Sequence, residues 1–132
     1  MKRIIFLVIV CAFSNIMKAQ ESLIKEEKTD TTVVFNYVVH DFETVSESGG
    51  IIECEFTLTN TGDSPLVITK VTASCGCTAP EWTKEAVGVG EQGFVKVSFD
   101  PKGRKGKFLK SLTVFTNGNP SSIRLKIKGN IE

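Results

Sequence analysis

The sequence predicts an all-β fold, a single β-sandwich domain of about seven strands over residues 33–132. Three observations carry that expectation. Short runs rich in β-branched and aromatic residues recur every eight to twelve positions from Val33 onward. Clusters of Gly, Pro, Asn, Asp and Ser separate them. No stretch shows a helical period of 3.6 residues.

The strands follow in order. Val33 to Val39 reads as the first, continued by Phe42 to Val45 after His40-Asp41, with a turn over Ser46 to Gly50. Ile51 to Asn60 alternates cleanly, placing Ile52, Cys54, Phe56 and Leu58 on one face and Glu53, Glu55, Thr57 and Thr59 on the other. A period of two marks a half-buried strand. Asn60-Thr61-Gly62-Asp63-Ser64-Pro65 is a turn, and Leu66 to Ala73 is the next strand. Pro80 and the glycines at 88, 90 and 93 make residues 78–92 a loop with at most one short edge strand. Gly93 to Phe99 alternates again, and Asp100 to Gly106 is a turn. Phe108 to Thr116 and Ser122 to Ile131 form a hairpin across Asn117-Gly118-Asn119-Pro120.

Upstream of the domain, Lys2 and Arg3 precede an almost unbroken apolar run from Ile4 to Phe13, and a more polar stretch ends at Ala19. This is the layout of a secretory signal peptide over residues 1–19, cleaved before Gln20. The run is too short to cross a bilayer, which takes roughly 20 residues, so no transmembrane segment is expected. Cys11 within it raises a lipid anchor as an alternative. The bulky Val10 before it fits acylation poorly, and a cysteine in such a run serves equally as apolar filler. Residues 20–32, polar and centred on Glu26-Glu27-Lys28, read as a flexible arm. The expected location is therefore the periplasm or the exterior.

After cleavage the 113 remaining residues carry 13 basic and 15 acidic groups, a net charge of −2. That balance gives no footprint for nucleic acid or an anionic membrane. The local basic run Lys102, Arg104, Lys105, Lys107 and Lys110 falls among glycines and reads as a solvated hairpin loop. Asp41, Glu43 and Asp100 are single carboxylates without the spacing of a calcium loop.

The least generic segment is Ser74-Cys75-Gly76-Cys77-Thr78, followed by Trp82, the chain's only tryptophan. Cys75 and Cys77 are the candidate functional thiols. Residues i and i+2 of an extended strand lie about 6.5 Å apart, whereas a disulfide wants Cβ atoms roughly 3.5–4.5 Å apart. A direct bond between them needs a tight turn, which Gly76 permits because it can take a positive φ. Three other readings stand beside it. The pair could form half of a zinc or copper site, though the exported chain offers only His40 and Cys54 besides and no methionine. Cys54 could bridge to either cysteine between facing sheets. All three thiols could also stay reduced. A cysteine nucleophile would need a base beside it, and His40 is distant in sequence. Trp82 reads as a rim aromatic of the core or as a candidate contact residue for a partner.

Several landmarks line up in order. They are Asp41-Phe42-Glu43-Thr44-Val45, Phe56 to Gly62, Pro65 to Ile68, Val71 through Pro80, Gly90-Glu91 before Val95 to Asp100, and Gly106-Lys107-Phe108 with Val114 to Asn117. Together they resemble the exported bacterial family of domain of unknown function 1573, abundant in Bacteroidetes-like bacteria. The resemblance implies an immunoglobulin-like β-sandwich, akin to Hydin-type and major-sperm-protein-like modules, with no assigned catalytic activity. Two positions depart from it. Glu43 stands where the family usually has glycine, and Val89 where it has proline, and both are expected in turns. The function these readings predict is a non-enzymatic, cofactor-free interaction or scaffolding domain with a protein partner in the cell envelope. Its contact surface would be an exposed sheet edge or the segment from Cys75 to Trp82. The alternative is a periplasmic thiol-redox or metal-handling protein that uses Cys75 and Cys77.

Overall fold

The computed structural model describes residues 31–132. The segment expected to be a signal peptide, with Cys11, and most of the expected arm lie outside the described residues. Thr31 and Thr32, assigned to the arm from sequence, are in fact bonded into the fold. Thr32 N–H donates to Asn119 O at 2.8 Å, and Thr61 donates to Thr31 and Thr32 carbonyls at 2.8 and 3.0 Å.

Eight strands and no helix form among the described residues. They are β1 (Val33–Phe35), β2 (Val39–Val45), β3 (Ile52–Asn60), β4 (Ile68–Ala73), β5 (Thr78–Trp82), β6 (Gln92–Phe99), β7 (Gly106–Thr116) and β8 (Ser122–Ile131). One sheet has the order β1-β3-β6-β5, the other β2-β8-β7-β4. Their inner faces interdigitate. Phe56, Leu58, Val95, Val97 and Phe99 from the first sheet meet Leu112, Val114, Leu125 and Ile127 from the second, all essentially without solvent contact. Each such side chain contributes about 1.5–3 kcal/mol of apolar burial, enough in sum for one domain core.

The single first strand expected over residues 33–45 is two strands in different sheets. β1 pairs antiparallel with β3, whereas β2 pairs parallel with β8. The chain crosses at Asn36 to Val38. The Asn36 carboxamide oxygen accepts from Tyr37 N–H and Thr57 N–H at 2.9 and 3.0 Å, and the Tyr37 hydroxyl donates to Glu55 O at 2.8 Å. Lys126 N–H then donates to Val38 O at 2.8 Å, so the chain joins the second sheet there. Apolar patterning marks both halves as β but cannot say which sheet each joins.

Within the expected loop of residues 78–92, residues 78–82 form the one short edge strand. Pro80 is compatible with it because of register. Asp100 N–H donates to Cys77 O and Thr83 N–H to Phe94 O, so residues 77, 79, 81 and 83 turn their backbone toward β6. The amide that proline lacks therefore points away from the sheet.

Glu43 is also not in a turn. It sits inside β2 at a bulge, where the register shifts between Asp41 and Thr44, with φ 60°. That left-handed backbone is the conformation glycine adopts at least cost, which accounts for glycine in the family at this position. The Asp41 carboxylate accepts the Glu43 N–H at 2.8 Å. Opposite the bulge, a Cβ on Gly129 would lie 2.8 Å from the Phe108 ring. The ring fills the space a side chain would have taken and stacks on Phe99, centroids 4.5 Å apart. Val89, by contrast, is an exposed residue of the turn before Gly90, whose φ is 75°.

Candidate functional site

β4 ends at Ala73 and runs off β7 through Ser74. Ser74 N–H donates to Ser111 O at 2.9 Å, and Ser111 N–H donates to the Ser74 hydroxyl at 3.2 Å. The chain then turns across the edge of the sandwich into β5. Cys75 O, at the start of this turn, accepts from both the backbone N–H (3.4 Å) and the hydroxyl (3.1 Å) of Thr78. Within it Cys75 and Cys77 are joined as a disulfide, their Cα atoms 5.4 Å apart. Both are half-buried. The tight turn expected for this bond is present, but its expected device is not. Gly76 is not among the residues with positive φ, and a Cβ placed on it meets nothing within 4 Å.

Cys54 takes no part. It shares a row with Val97 and Pro80, so two strand spacings, about 10 Å, separate its strand from β5. β3 and β5 belong to the same sheet, and the inter-sheet bridge considered from sequence has no geometry to form. Cys54 is a free, buried thiol, and burial pushes its pKa up to about 11. At neutral pH it is an inert apolar filler.

His40 is equally remote. It pairs with Ile127, and Ile127 with Lys110, the β7 residue just beyond the Ser74 contact. Three strand spacings, about 14 Å, lie between its strand and the disulfide turn. Its ring instead packs edge-on to Phe42, centroids 4.5 Å apart, and near Tyr37 at 5.9 Å. No three metal-ligating side chains come together among the described residues. The arrangement can exchange a disulfide for two thiols. Neither His40 nor Cys54 reaches those thiols.

Trp82 closes β5 opposite Val95, half-buried against the edge of the core. The Lys84 ammonium lies 3.0 Å from the ring centroid, so one face of the indole is covered by a cation. Next to the turn, Gly76 and Cys77 line an open hollow of about 290 Å³ together with Lys102, Arg104 and Asp100. Two cations against one carboxylate leave the hollow net basic, and Asp100 accepts the Lys102 N–H at 3.0 Å.

Asn60 is the residue whose importance the sequence hid. Its side chain is 1% exposed. The carboxamide donates to Ser64 O and Val87 O at 2.8 and 2.9 Å and accepts from Gly62 N–H at 3.0 Å. Its backbone bonds Glu91 O and Gly90 N–H at 3.0 and 2.9 Å. One buried side chain thus ties the β3 turn to the segment between β5 and β6. A turn motif in sequence hides a buried carboxamide, since asparagine is ordinary in turns. Its position two residues beyond Leu58 on the inward face was the available clue.

Two facing four-stranded sheets, an amino-terminal segment shared between them and an unbroken apolar centre define an immunoglobulin-like sandwich. Solved structures of the same shape agree. A protein of unknown function from Porphyromonas gingivalis W83 superposes with TM-score 0.64 at 16% identity, covering 82% of this chain and 51% of that one. The ASH/PapD-like domain 7 of human CEP192 superposes with TM-score 0.65 at 14% identity, covering 83% and 93%. WR4, a major sperm protein family member of C. elegans, gives 0.50 at 9% identity, covering 77% and 99%. At these identities the likeness concerns the fold alone, and the chain spans about half the length of the Porphyromonas protein. No curated protein sequence matches. Residues 33–131 match the family described as protein of unknown function DUF1573, and the chain belongs to that family.

Proposed function

We propose that this is an exported, non-enzymatic interaction module of the cell envelope that offers the edge of β2 to a protein partner. The observation that carries the reading is the contrast among the four sheet edges. β5 is blunted, since Pro80 has no amide and Thr78 N–H is spent on Cys75 O. β1 is only three residues long, and β4 is broken by a register shift at Thr69 and carries Lys70. Short strands, bulges, prolines and lysines all protect an edge from pairing. β2 is seven residues long: a bulge interrupts it at Glu43, but it is regular from Val39 to Asp41, carries neither proline nor lysine, and is preceded by exposed Val38. Because Val38 O faces β8, the Val39 and Asp41 amides face outward, ready for an added strand.

A photoreactive amino acid at Val39, introduced in the producing cell, is expected to give one discrete heavier adduct. The same group at Ala79 on β5 should give none. No adduct at Val39 sinks the reading. Export itself is supported by the charge and apolar pattern of residues 1–19, and amino-terminal sequencing of the isolated protein should begin at Gln20.

One observation favours a second reading, thiol exchange at Cys75–Cys77. The disulfide is half-buried beside Lys102 and Arg104, and cations next to a sulfur stabilise the thiolate that reduction releases. Intact mass after alkylation of the denatured protein should show one free thiol before mild reductant and three after it. A pair that stays closed under mild reductant removes this reading.

A further inference from the structure

Residues 31–132 carry eleven acidic and eleven basic side chains, yet the fold sorts them. Along β8, Arg124, Lys126 and Lys128 alternate with buried Leu125 and Ile127, so all three cations project from the outer face of the second sheet. Lys107 on β7 and Lys70 on β4 share that face, with Asp41 and Glu43 at its β2 margin. The basic hairpin loop expected from sequence therefore feeds Lys107 into a cationic sheet face. On the opposite side of the molecule, β3 places Glu53 and Glu55, and β5 places Glu81, around a single Lys96. Lys96 stands opposite Glu55 and Glu81 and pairs with Glu53 at 3.3 Å, and Lys128 pairs with Asp41 at 3.8 Å. Yet three carboxylates against one lysine leave the first face acidic, and five cations against two carboxylates leave the second basic. An unbalanced field on a flat face favours recognition of the opposite sign.

We infer that these two faces recognise each other between copies of this chain, the acidic face of one molecule lying on the basic face of the next. This rests on the interaction-module reading and adds to it a surface and a partner. Two matching periods favour it. Glu53 and Glu55 stand about 6.7 Å apart along β3, the same step as Lys126 and Lys128 along β8, because both are set by the strand repeat. Each face also exposes apolar side chains beside its charges: Val34 and Phe94 on one, Leu109, Val39 and Phe115 on the other. Four strands by about 25 Å give a face of roughly 500 Å², so a stacked pair buries on the order of 1,000 Å² in total, the range of weak, transient contacts. Because the faces differ, the contact is head to tail and does not close at a dimer.

Sedimentation of the purified protein tests it. At about 0.05 M salt the average mass should climb past the dimer with concentration, and association should weaken more than tenfold by about 0.5 M salt as screening shortens. Lys126→Glu/Lys128→Glu and Glu53→Lys/Glu55→Lys should each be monomeric. Their equimolar mixture should associate, because it retains the acidic face of the first variant and the basic face of the second. A wild type that stays monomeric at low salt up to about 1 mM overturns the inference. So does association that salt and both reversals leave unchanged. A monomer that binds polyglutamate through Lys126 and Lys128 overturns it in favour of a different acidic partner. All three leave the β2 edge standing, since a Val39 adduct with a protein other than this chain tests that edge separately.

Discussion

The turn that begins at Asn60 and the turn that holds Cys75 and Cys77 both belong to the landmarks of the family, and chemistry and structure rank them in opposite order. The cysteine turn carries the softest and most reactive side chains in the chain. It nevertheless closes on itself in a ring of three residues, half in solvent. The asparagine turn looks like ordinary punctuation. It holds a buried carboxamide that bonds twice within its own turn and once across to Val87, on the segment between β5 and β6. Reactivity is a property of a side chain, whereas structural weight depends on what is left unbonded when that side chain goes.

Asn60→Ala should therefore be the largest single loss, about 3 kcal/mol, because it empties a buried site, takes one of two donors from the buried Val87 carbonyl and removes the side-chain partner of Ser64 O and Gly62 N–H. Urea unfolding measures it. Asn60→Asp should fail nearly as badly, since a carboxylate cannot donate to two carbonyls. A loss under 1 kcal/mol would erase the contrast.

The free thiol gives the next effect. Cys54 titrates near 11 in the fold and near 9 when unfolded. An unfolded chain that sheds its proton first gains stability as pH rises, so folding should weaken between pH 9 and pH 11, by on the order of 2 kcal/mol. Cys54→Val should flatten that stretch of the stability profile, and a wild type with a flat profile would refute the assignment.

Replacing both Cys75 and Cys77 by serine should cost less, about 1–2 kcal/mol, because closing so short a loop removes little freedom from the unfolded chain. Thermal melts of the two proteins decide it. A loss as large as that of Asn60→Ala would make the disulfide a structural staple after all.

Gly76→Ala should change stability by less than about 0.5 kcal/mol and leave the disulfide formed, since its Cβ meets open space and its backbone is not left-handed. Failure of the variant to oxidise would show that the turn needs glycine.

The same contrast explains what the sequence made legible. β3, β6 and β8 could be read residue by residue, because each buries one face and exposes the other. Periodicity reports on a strand's own two faces. It is silent on which sheet a strand joins, which is why β1 and β2 read as one, and on which way an amide points, which is why Pro80 argued for loop. The sulfur atoms of Cys75 and Cys77 were visible as a pair, but their isolation from His40 and Cys54 depends on strand order. The two charged faces were hidden for a similar reason. Their residues come from β3 and β5 on one side and β4, β7 and β8 on the other, so composition averages them to zero.

The parallel register of β2 on β8 sets the order in which the molecule can be completed. Among the described residues, 39–45 find their only strand partner at residues 126–131, and Glu132 N–H still donates to Val45 O at 2.9 Å. A chain delivered from its amino terminus must hold Val38, Val39 and their neighbours unpaired until almost all of the domain has emerged. The strand proposed as a docking edge is thus the last to be secured, and a guest strand could compete for it most readily while the chain is still being made.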